Sequence, residues 1–399
     1  MNGTRAVVVA FLLCLAPLGG ISAGALQTDN GTMSVVPEEN TSEYLTPPSD
    51  GIDRSDQQTV GIDAAAAVSA NAGEVRTTYY RVSLQRAYRE ATTREERRAI
   101  VRNGTRRLVE RVDRLKQSER RAVERYGGGS VGDTELFRRL AVVDRKARTT
   151  KATVNWLDTR ADNLGMDNTE EVIALQRTRL RTMQGPVRAS ADEAIGGDSS
   201  ARVHVDASED GLVLATVEGT NGDVVYVREA YDPSARTDGG DAANGSGLSA
   251  AENRLRELYP WVTNNSTPTA VPIGPSDARL WRFTYSHSHG NLETYLDVDT
   301  DRIVIERQFK NTEAVPTRTE TATDGGLEMT LNRTRAGGPL GVTVTDVTTG
   351  DPVDAEVTLD GKAVGSTESE RLWTVAPRGQ TTINATYEGE TLTHETSFE

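Results

Sequence analysis

The sequence predicts a multidomain α+β protein: an antiparallel helical bundle or coiled-coil hairpin, then a small α+β domain, then an all-β sandwich. Three observations support this fold class. Apolar residues recur every three or four positions between residues 74 and 196, as in helices that pack on one another. After residue 197 the apolar period falls to two, as in half-buried strands. A chain of 399 residues is long enough for several domains.

The charge composition indicates the class of protein. There are 59 acidic and 45 basic residues, for a net charge of −14, and only five of the bases are Lys. An acidic chain almost without Lys resembles proteins of extreme halophiles, although an ordinary acidic secreted protein is the alternative. The net charge argues against non-specific nucleic-acid binding. A single cysteine, Cys14, excludes a disulfide scaffold and a metal site of clustered thiolates.

The first 25 residues have the pattern of an export signal. Arg5 supplies a positive charge, residues 6–18 an apolar core, and residues 23–25 an Ala-Gly-Ala cleavage site. We therefore expect a secreted or cell-surface protein. An uncleaved anchor is the alternative, because residues 6–26 carry no charge and about 20 residues can span a bilayer.

Asn-x-Ser/Thr sequons in an exported chain are candidate glycan acceptors, which would place them at the surface. Beyond the predicted signal they occur at Asn30, Asn40, Asn103, Asn244, Asn264, Asn265, Asn332 and Asn384. Chance in a Thr-rich sequence is the alternative for some of them.

Residues 26–73 are poor in large apolar side chains and rich in acidic residues, Ser, Thr and Pro, so we predict an acidic disordered spacer. An Arg-rich helical bundle is predicted over residues 74–196. Its clearest apolar seam has an unbroken 4-3 spacing: Leu136, Leu140, Val143, Ala147, Thr150, Val154, Leu157, Ala161 and Leu164. A preceding seam follows the same rule: Val101, Thr105, Leu108, Val112, Leu115, Glu119, Ala122 and Tyr126.

The ends of the predicted helices carry capping signals. Thr93 with Glu96, and Asn168 with Glu171, have the spacing of capping boxes, and three glycines at 127–129 end one long helix. Four helices joined by short breaks indicate either an antiparallel bundle or a helical hairpin with two flanking helices.

The helical region is basic within an acidic chain. Residues 74–196 hold 24 Arg and 3 Lys against 18 Asp and Glu, a charge of +9 that leaves −23 for the rest. This segregation predicts an acidic partner: an envelope protein or glycan, an anionic lipid surface, or the chain's own acidic domains. The alternative is a solvated helix face on which Arg pairs with Glu at i, i+4, such as Glu110 with Arg114.

Residues 197–312 are predicted to form the α+β domain, with a mobile Gly/Asp/Ala insertion at 232–247. Short strands are predicted around 203–205, 212–217, 224–227, 281–285, 292–298 and 303–305, with a helix from Ser249 to Pro260. A capped helix followed by a hairpin that turns at Leu296-Asp297-Val298-Asp299-Thr300-Asp301 resembles a PepSY-like unit over residues 248–310. That resemblance implies a regulator or inhibitor of extracellular proteolysis.

A linker is predicted over residues 313–326 and a β-sandwich over 327–399. Val342 to Asp346, Thr349-Gly350-Asp351-Pro352-Val353 and Leu359-Asp360-Gly361 alternate strands with turns. This order resembles the carboxypeptidase-regulatory or Ig-like sandwich modules of surface proteins. The whole arrangement resembles a family of uncharacterised secreted or cell-surface proteins of haloarchaea, a resemblance that implies no activity.

Three motifs could carry chemistry. Gly128-Gly129-Ser130-Val131-Gly132 matches a nucleophile elbow, but an Arg- and Glu-rich helix precedes it, so we expect a loop between helices. His287-Ser288-His289 could bridge a metal only with a third ligand such as Glu293, so a polar turn is favoured. Asp297, Asp299 and Asp301 have the spacing of a calcium loop without its Gly and closing Glu, so we expect a tight turn.

These observations predict an exported, non-enzymatic, envelope-associated interaction or structural protein of a halophile. No catalytic, cofactor or metal residue is assigned, and neither a nucleic acid nor a small-molecule substrate is implied. The alternatives are a PepSY-like regulator of extracellular proteolysis and, less favoured, a hydrolase that uses Ser130.

Overall fold

The computed structural model describes residues 32–38, 42–209, 211–219, 224–236, 247–274, 280–368 and 371–399. The predicted export signal, Cys14 and the sequons at Asn30, Asn40 and Asn244 lie outside these residues, as does most of the predicted insertion at 232–247. Among the described helices, none combines the length and the apolarity that a bilayer span requires.

A short hairpin and a large antiparallel sheet form the centre of the molecule. The hairpin pairs β1 (Ser34–Pro37) with β2 (Glu43–Thr46). The sheet contains β3 (Arg54–Val60), β4 (Ala201–Ala207), β5 (Leu212–Glu218), β6 (Val225–Tyr231), β7 (Thr269–Ile273), β8 (Leu280–His287), β9 (Gly290–Asp297) and β10 (Arg302–Asn311). Its spatial order is β3-β4-β5-β6-β10-β9-β8-β7. The strands predicted between residues 203 and 305 are therefore confirmed.

Five helices lie between two neighbouring strands of this sheet. They are α1 (Ala64–Glu90), α2 (Arg94–Gly127), α3 (Asp133–Leu164), α4 (Asp167–Thr182) and α5 (Pro186–Gly196). β3 pairs with β4 along its whole length, from Arg54 opposite Ala207 to Val60 opposite Ala201. The helices are thus an insertion between adjacent strands, and we call them the helical arm.

The prediction of a disordered spacer over residues 26–73 is wrong wherever these residues are described, because β1, β2, β3 and the start of α1 all lie within it. Residues 54–60 form a central-sheet strand, and α1 begins at Ala64, ten residues before the predicted start of the helical region at 74. β3 reads Arg-Ser-Asp-Gln-Gln-Thr-Val, so it has almost no hydropathy signal. Its stability comes from the hydrogen-bonded ladder with β4, a partner that is distant in sequence.

In the arm, α2 and α3 form a hairpin that α1 and α4 flank. All nine predicted seam residues of α3 and all eight of α2 are buried, which confirms the seam assignments. The capping box at Thr93 and Glu96 is present. The one predicted at Asn168 is wrong: Gly165 ends α3 in a left-handed conformation (φ 61°), the Met166 amide bonds back to Ala161, and α4 has already begun at Asp167.

The two faces of the central sheet pack against different elements. Val203, Val205 and Leu214 contact the arm, where Phe137 of α3 and Val187 of α5 meet them. On the opposite face, the β1–β2 hairpin covers part of the sheet together with α6 (Leu248–Leu258) and α7 (Pro260–Asn265). Alternation of side chains along each strand produces this division.

The C-terminal region is a sandwich of two four-stranded sheets. Its strands are β11 (Arg318–Asp324), β12 (Leu327–Arg333), β13 (Pro339–Asp346), β14 (Glu356–Leu359), β15 (Lys362–Ser366), β16 (Leu372–Val375), β17 (Gly379–Tyr387) and β18 (Glu390–Phe398). The predicted Ig-like sandwich is confirmed, but the predicted linker at 313–326 is wrong from Arg318 onward. β11 carries few apolar residues, so only its pairing with β12 defines it as a strand.

The sandwich is attached to the central sheet by polar contacts around a small apolar patch. Val375 packs on Ala215 and Tyr226, and the Tyr226 hydroxyl donates to the carbonyl of Gly337 at 2.6 Å. Nearby, Arg378 pairs with the buried Asp206 at 3.1 Å.

Candidate functional site: a cationic cleft in the helical arm

A cleft of about 250 Å³ opens between α1, α2 and α3, and we call it the cationic cleft. It is lined by Tyr80, Arg107, Leu108, Glu110, Arg111, Arg114, Thr150 and Thr153. The three arginines follow the i, i+4, i+7 spacing of one helix face. Each immediately precedes a buried seam residue of α2 (Leu108, Val112 and Leu115), so packing of the seam places the guanidinium groups at the rim facing α1 and α3.

The cleft is cationic because its arginines have no carboxylate partner. Within the described residues, none of Arg107, Arg111 and Arg114 forms an ion pair. Glu110 lines the cleft, yet the predicted pair of Glu110 with Arg114 is not formed, so that prediction is wrong. Arg111 donates instead to the hydroxyl of Thr77, and the Arg107 guanidinium lies 5.9 Å from the centre of the Tyr80 ring.

The pKa values of two basic side chains near the cleft are lowered, which agrees with a local excess of positive charge. Burial and the neighbouring Arg114 lower the pKa of Arg111. Burial, Arg111 and Arg76 lower the pKa of Lys146 on α3. A lowered pKa in a basic side chain means that the charged form is disfavoured where it sits. A bound anion would reverse this effect.

Two buried hydroxyl groups at the cleft, those of Tyr80 and Thr153, lack a hydrogen-bond partner in the described residues. Thr153 is 3 % exposed, and its hydroxyl has no hydrogen-bond partner among the described residues. Leaving such a group unsatisfied costs about 1–3 kcal/mol. Guanidinium groups bind planar and tetrahedral oxyanions through paired N–H donors, and a hydroxyl adds one more donor. The cleft can therefore hold a single carboxylate, phosphate or sulfate group.

Other arginines of the arm are engaged within it. Arg94 and Arg98 both donate to the carbonyl of Leu164, the last residue of α3, at 3.0 and 2.7 Å. Arg160 lies over the rings of Tyr88 and Trp156. At this end of the arm the structure agrees with the alternative to an acidic partner, a solvated helix face. Here arginine side chains cover apolar surface and cap a helix. The cationic cleft differs because none of its three arginines caps a helix or pairs with a carboxylate in the described residues, although Arg107 lies near the Tyr80 ring.

Three regions of the chain match known protein families. Residues 1–200, half of the chain, match a family described as a domain of unknown function, DUF7096. The chain belongs to the DUF7096 family. Residues 203–316 match a family of unknown function, DUF7094, and residues 318–394 match an archaeal fibronectin-III type-like domain. No curated protein and no solved structure matches the DUF7096 chain.

The boundary between the first two matches cuts through one sheet. β3 lies in the DUF7096 match, whereas five of the seven residues of its partner β4 lie in the DUF7094 match. The two regions therefore share a hydrogen-bonded ladder and a core. In the DUF7096 chain the helical arm, with its cationic cleft, is anchored at both ends in that shared sheet.

The Gly128–Gly132 motif connects α2 to α3 in the DUF7096 chain, as predicted. Ser130 is exposed, and a helix precedes it where a nucleophile elbow requires a strand. The Arg54 guanidinium fixes this loop by donating to the Val131 carbonyl and to Asp133, both at 3.0 Å. The motif is therefore a structural connection.

His287 and His289 lie at the end of β8, where both contact Trp261. The ring of His289 stacks on Trp261 with centroids 4.9 Å apart, and His287 meets it edge-on at 5.3 Å. Burial lowers the pKa of His287 to about 4, and that of His289 is also lowered. Glu293, the suggested third ligand, pairs with Arg307 at 2.6 Å, and no group of three metal-ligating side chains occurs in the described residues.

The acidic triplet builds a turn between β9 and β10. The amide of Asp299 donates to the Asp297 carboxylate at 3.0 Å, and Asp301 adopts a left-handed conformation with φ of 55°. Burial raises the pKa of Asp297. This arrangement agrees with the predicted tight turn.

The described sequons fall into two groups. Asn103 on α2 and Asn264 and Asn265 on α7 are exposed. Asn332 and Asn384 are half-buried on strands, where their side-chain oxygens accept hydrogen bonds from Thr319 and Thr393. Glycan occupancy at any of them stays a prediction.

Sequence reasoning identified the basic arm but missed the cleft residues. The spacing of Arg107, Arg111 and Arg114, each directly before a seam position, was a usable signal. Tyr80 and Thr153 had none, because they reach the cleft only through the packing of α1 and α3.

Proposed function

We propose that this chain is an exported, non-enzymatic, envelope-associated interaction protein of a halophile, whose cationic cleft binds an acidic group of an extracellular protein or glycan. The observation that carries the proposal is a cleft with three arginines and no ion pair to a carboxylate in the described residues. The leader-like first 25 residues and the Lys-poor acidic composition support export and a saline environment.

High salt limits the ligands of such a site to groups that make short, direct contacts with the arginines. The Debye length is about 3 Å at 1 M salt, so long-range attraction to a charged surface is largely screened. Short paired contacts between guanidinium and carboxylate persist. The cleft's size also favours a single acidic group over an extended anionic surface.

The attachment of the helical arm to the central sheet supports an interaction role for the cleft. The arm is joined to the central sheet through the buried pair of Arg188 with Glu229, and the fibronectin-like sandwich is attached to the same sheet through Tyr226 and Asp206. A rigid support of this kind orients a binding site without ordering it at each encounter.

The test is calorimetric titration of the full chain with an oligo-glutamate peptide in 2 M NaCl. We expect Arg111→Met and Arg114→Met each to weaken binding by about tenfold or more, since a charged hydrogen bond contributes about 1.5–3 kcal/mol. Arg102→Met is the matched control, because Arg102 is exposed on the same helix and does not line the cleft.

Equal weakening in the control would contradict the proposal, as would binding to anionic lipid vesicles but not to the peptide. The PepSY-like regulator stays an alternative that rests on resemblance alone. The hydrolase alternative predicts a hydrolytic activity that Ser130→Ala removes.

A further inference from the structure

Helix α1 carries a second apolar stripe on the side that faces away from the arm, and we call it the outer stripe. It follows an unbroken 3-4 spacing and all its members are exposed: Ala65, Val68, Ala72, Val75, Tyr79 and Val82. Val68, Val75 and Tyr79 are 69 %, 68 % and 75 % exposed. These are among the most exposed large apolar side chains in the described part of the chain.

The inner face of α1 packs against the other helices of the arm. Ala66, Ala70 and Thr77 are buried against the arm, and Leu84 packs on Gly104 of α2. The helix is thus apolar on two opposite sides, of which one is packed. A 3-4 repeat is the pattern of a helix that packs along a second helix, and exposed apolar stripes of this kind mark interaction surfaces.

The residues beside the outer stripe indicate what chemistry would cover it. The flanking positions are Ser69, Asn71, Arg76, Thr78, Ser83 and Gln85, so five of the six are uncharged. A partner helix selected by charge would meet a charged border, as in coiled coils that choose their partners through these positions. A nearly neutral border does not repel an identical helix.

The stripe is complementary to itself when reversed. In an antiparallel pair centred between residues 73 and 74, Ala65 lies opposite Val82, Val68 opposite Tyr79, and Ala72 opposite Val75. Each layer then joins a smaller side chain to a larger one, which suits close packing. A parallel pair would instead continue into layers that oppose Arg86 to Arg86 and Arg89 to Arg89, and like charges there are destabilising.

The preceding part of the chain is a less suitable occupant. The β1–β2 hairpin packs on the face of the central sheet opposite to the one that contacts the arm. The described structure therefore begins, just before β1, on the far side of the sheet from α1.

We infer that α1 pairs with α1 of a second copy of this chain in an antiparallel arrangement with two-fold symmetry. Each subunit contributes the same surface, as in most homodimers. Six layers span only about 26 Å of helix, so the interface falls in the weak, reversible class of less than about 1,200 Å². The pairing uses no residue of the cationic cleft, so it stands independently of the proposed function.

Sedimentation equilibrium of the full chain over a range of concentrations tests the association. We expect a reversible monomer–dimer equilibrium that Val75→Arg combined with Tyr79→Arg abolishes, leaving a monomer. The control is Val347→Arg, since Val347 is 51 % exposed on the C-terminal sandwich. Both variants should keep the wild-type circular dichroism, because the substituted side chains are exposed. A monomer at every concentration, or loss of the dimer in the control, overturns the inference.

Disulfide trapping tests the orientation, in a Cys14→Ser background that removes the native cysteine. We expect a cross-link when Ala65→Cys and Val82→Cys chains are mixed, and none in either variant alone. The two positions are 17 residues apart, about 25 Å along the helix, so identical positions are remote in an antiparallel pair. Cross-linking of each variant with itself would show a parallel pair and overturn the inference.

Discussion

Arg188 on helix α5 and Glu229 on strand β6 form a buried ion pair, with 2.9 Å between the guanidinium Nε and the carboxylate Oε1. Glu119 of α2 accepts a second hydrogen bond from the same guanidinium. The side chains of Arg188 and Glu229 are 3 % and 5 % exposed. Two helices of the arm, α5 and α2, are thus joined to strand β6 of the sheet by one buried cation.

Removal of that cation should strongly destabilise the protein. Arg188→Met leaves Glu119 and Glu229 buried without their shared countercharge, and we expect a loss of about 3–5 kcal/mol in the free energy of unfolding. Chemical denaturation measures this. Arg120→Met is the matched control on α2, because its pair with Glu124 is exposed and should contribute less than about 1 kcal/mol.

A loss below about 1 kcal/mol for Arg188→Met would show that this triad does not join arm and sheet. Combining Arg188→Met with Glu119→Gln and Glu229→Gln should recover part of the stability, since no unpaired charge is then left buried.

The β1–β2 hairpin should depend on one buried carboxylate. Glu306 on β10 accepts from the Tyr259 hydroxyl, from the Leu45 amide and from Arg228, each at 2.7 Å. We expect Tyr259→Phe to lower the free energy of unfolding by about 1.5–3 kcal/mol, as for other hydrogen bonds to charged groups.

Tyr285→Phe is the control for that measurement. Tyr285 is buried in the same core as Tyr259, but its hydroxyl makes no hydrogen bond within the described residues. We expect a change within about 0.5 kcal/mol. Equal effects of the two substitutions would contradict the role assigned to Glu306.

The elements that could be predicted from sequence are those whose signal is local. The seams of α2 and α3 have a helical period because each packs along a neighbouring helix, and the capping box at Thr93 needs only four residues. The strands from Val203 to Ile305 alternate because each has a buried face. The order of helices followed by strands therefore gave the correct fold class.

The remaining features depend on contacts between distant residues. β3 is polar along most of its length and becomes a strand only beside β4, which follows five helices later, so the sequence indicated a spacer. For the same reason the sequence predicts a separate helical domain, whereas the structure shows an insertion between two strands of one sheet. In the cationic cleft only the three arginines had a local pattern, whereas Tyr80 and Thr153 come from other helices.

His287 should titrate at an unusually low pH. Burial disfavours the charged imidazole and lowers its pKa to about 4, from an ordinary value near 6.5. The stabilisation that this group contributes is present above pH 6.5 and is lost as the pH falls toward 4. NMR-monitored titration of the histidine ring should give a midpoint near 4. A midpoint near 6.5 would show that the Trp261 cluster opens to solvent.

Asp144 on α3 should make the arm less stable at high pH. Burial outweighs the attraction of Arg148 and raises the pKa of Asp144 to about 6, while its Oδ1 accepts from the Gly185 amide at 3.1 Å. A raised carboxyl pKa contributes stability below the unfolded value, and this contribution is lost as the pH rises through 6. Asp144→Asn should remove that part of the pH dependence in denaturation curves measured from pH 4 to 8. An unchanged pH dependence would contradict it.

The most direct test of the cationic cleft is a crystal of the chain soaked in selenate, a tetrahedral dianion that anomalous scattering can locate. The account predicts an anomalous peak within about 3–4 Å of the guanidinium groups of Arg111 and Arg114, which disappears in Arg111→Met. A peak confined to exposed arginines such as Arg102, with none in the cleft, would contradict the claim that this cleft is where the arm binds acidic groups.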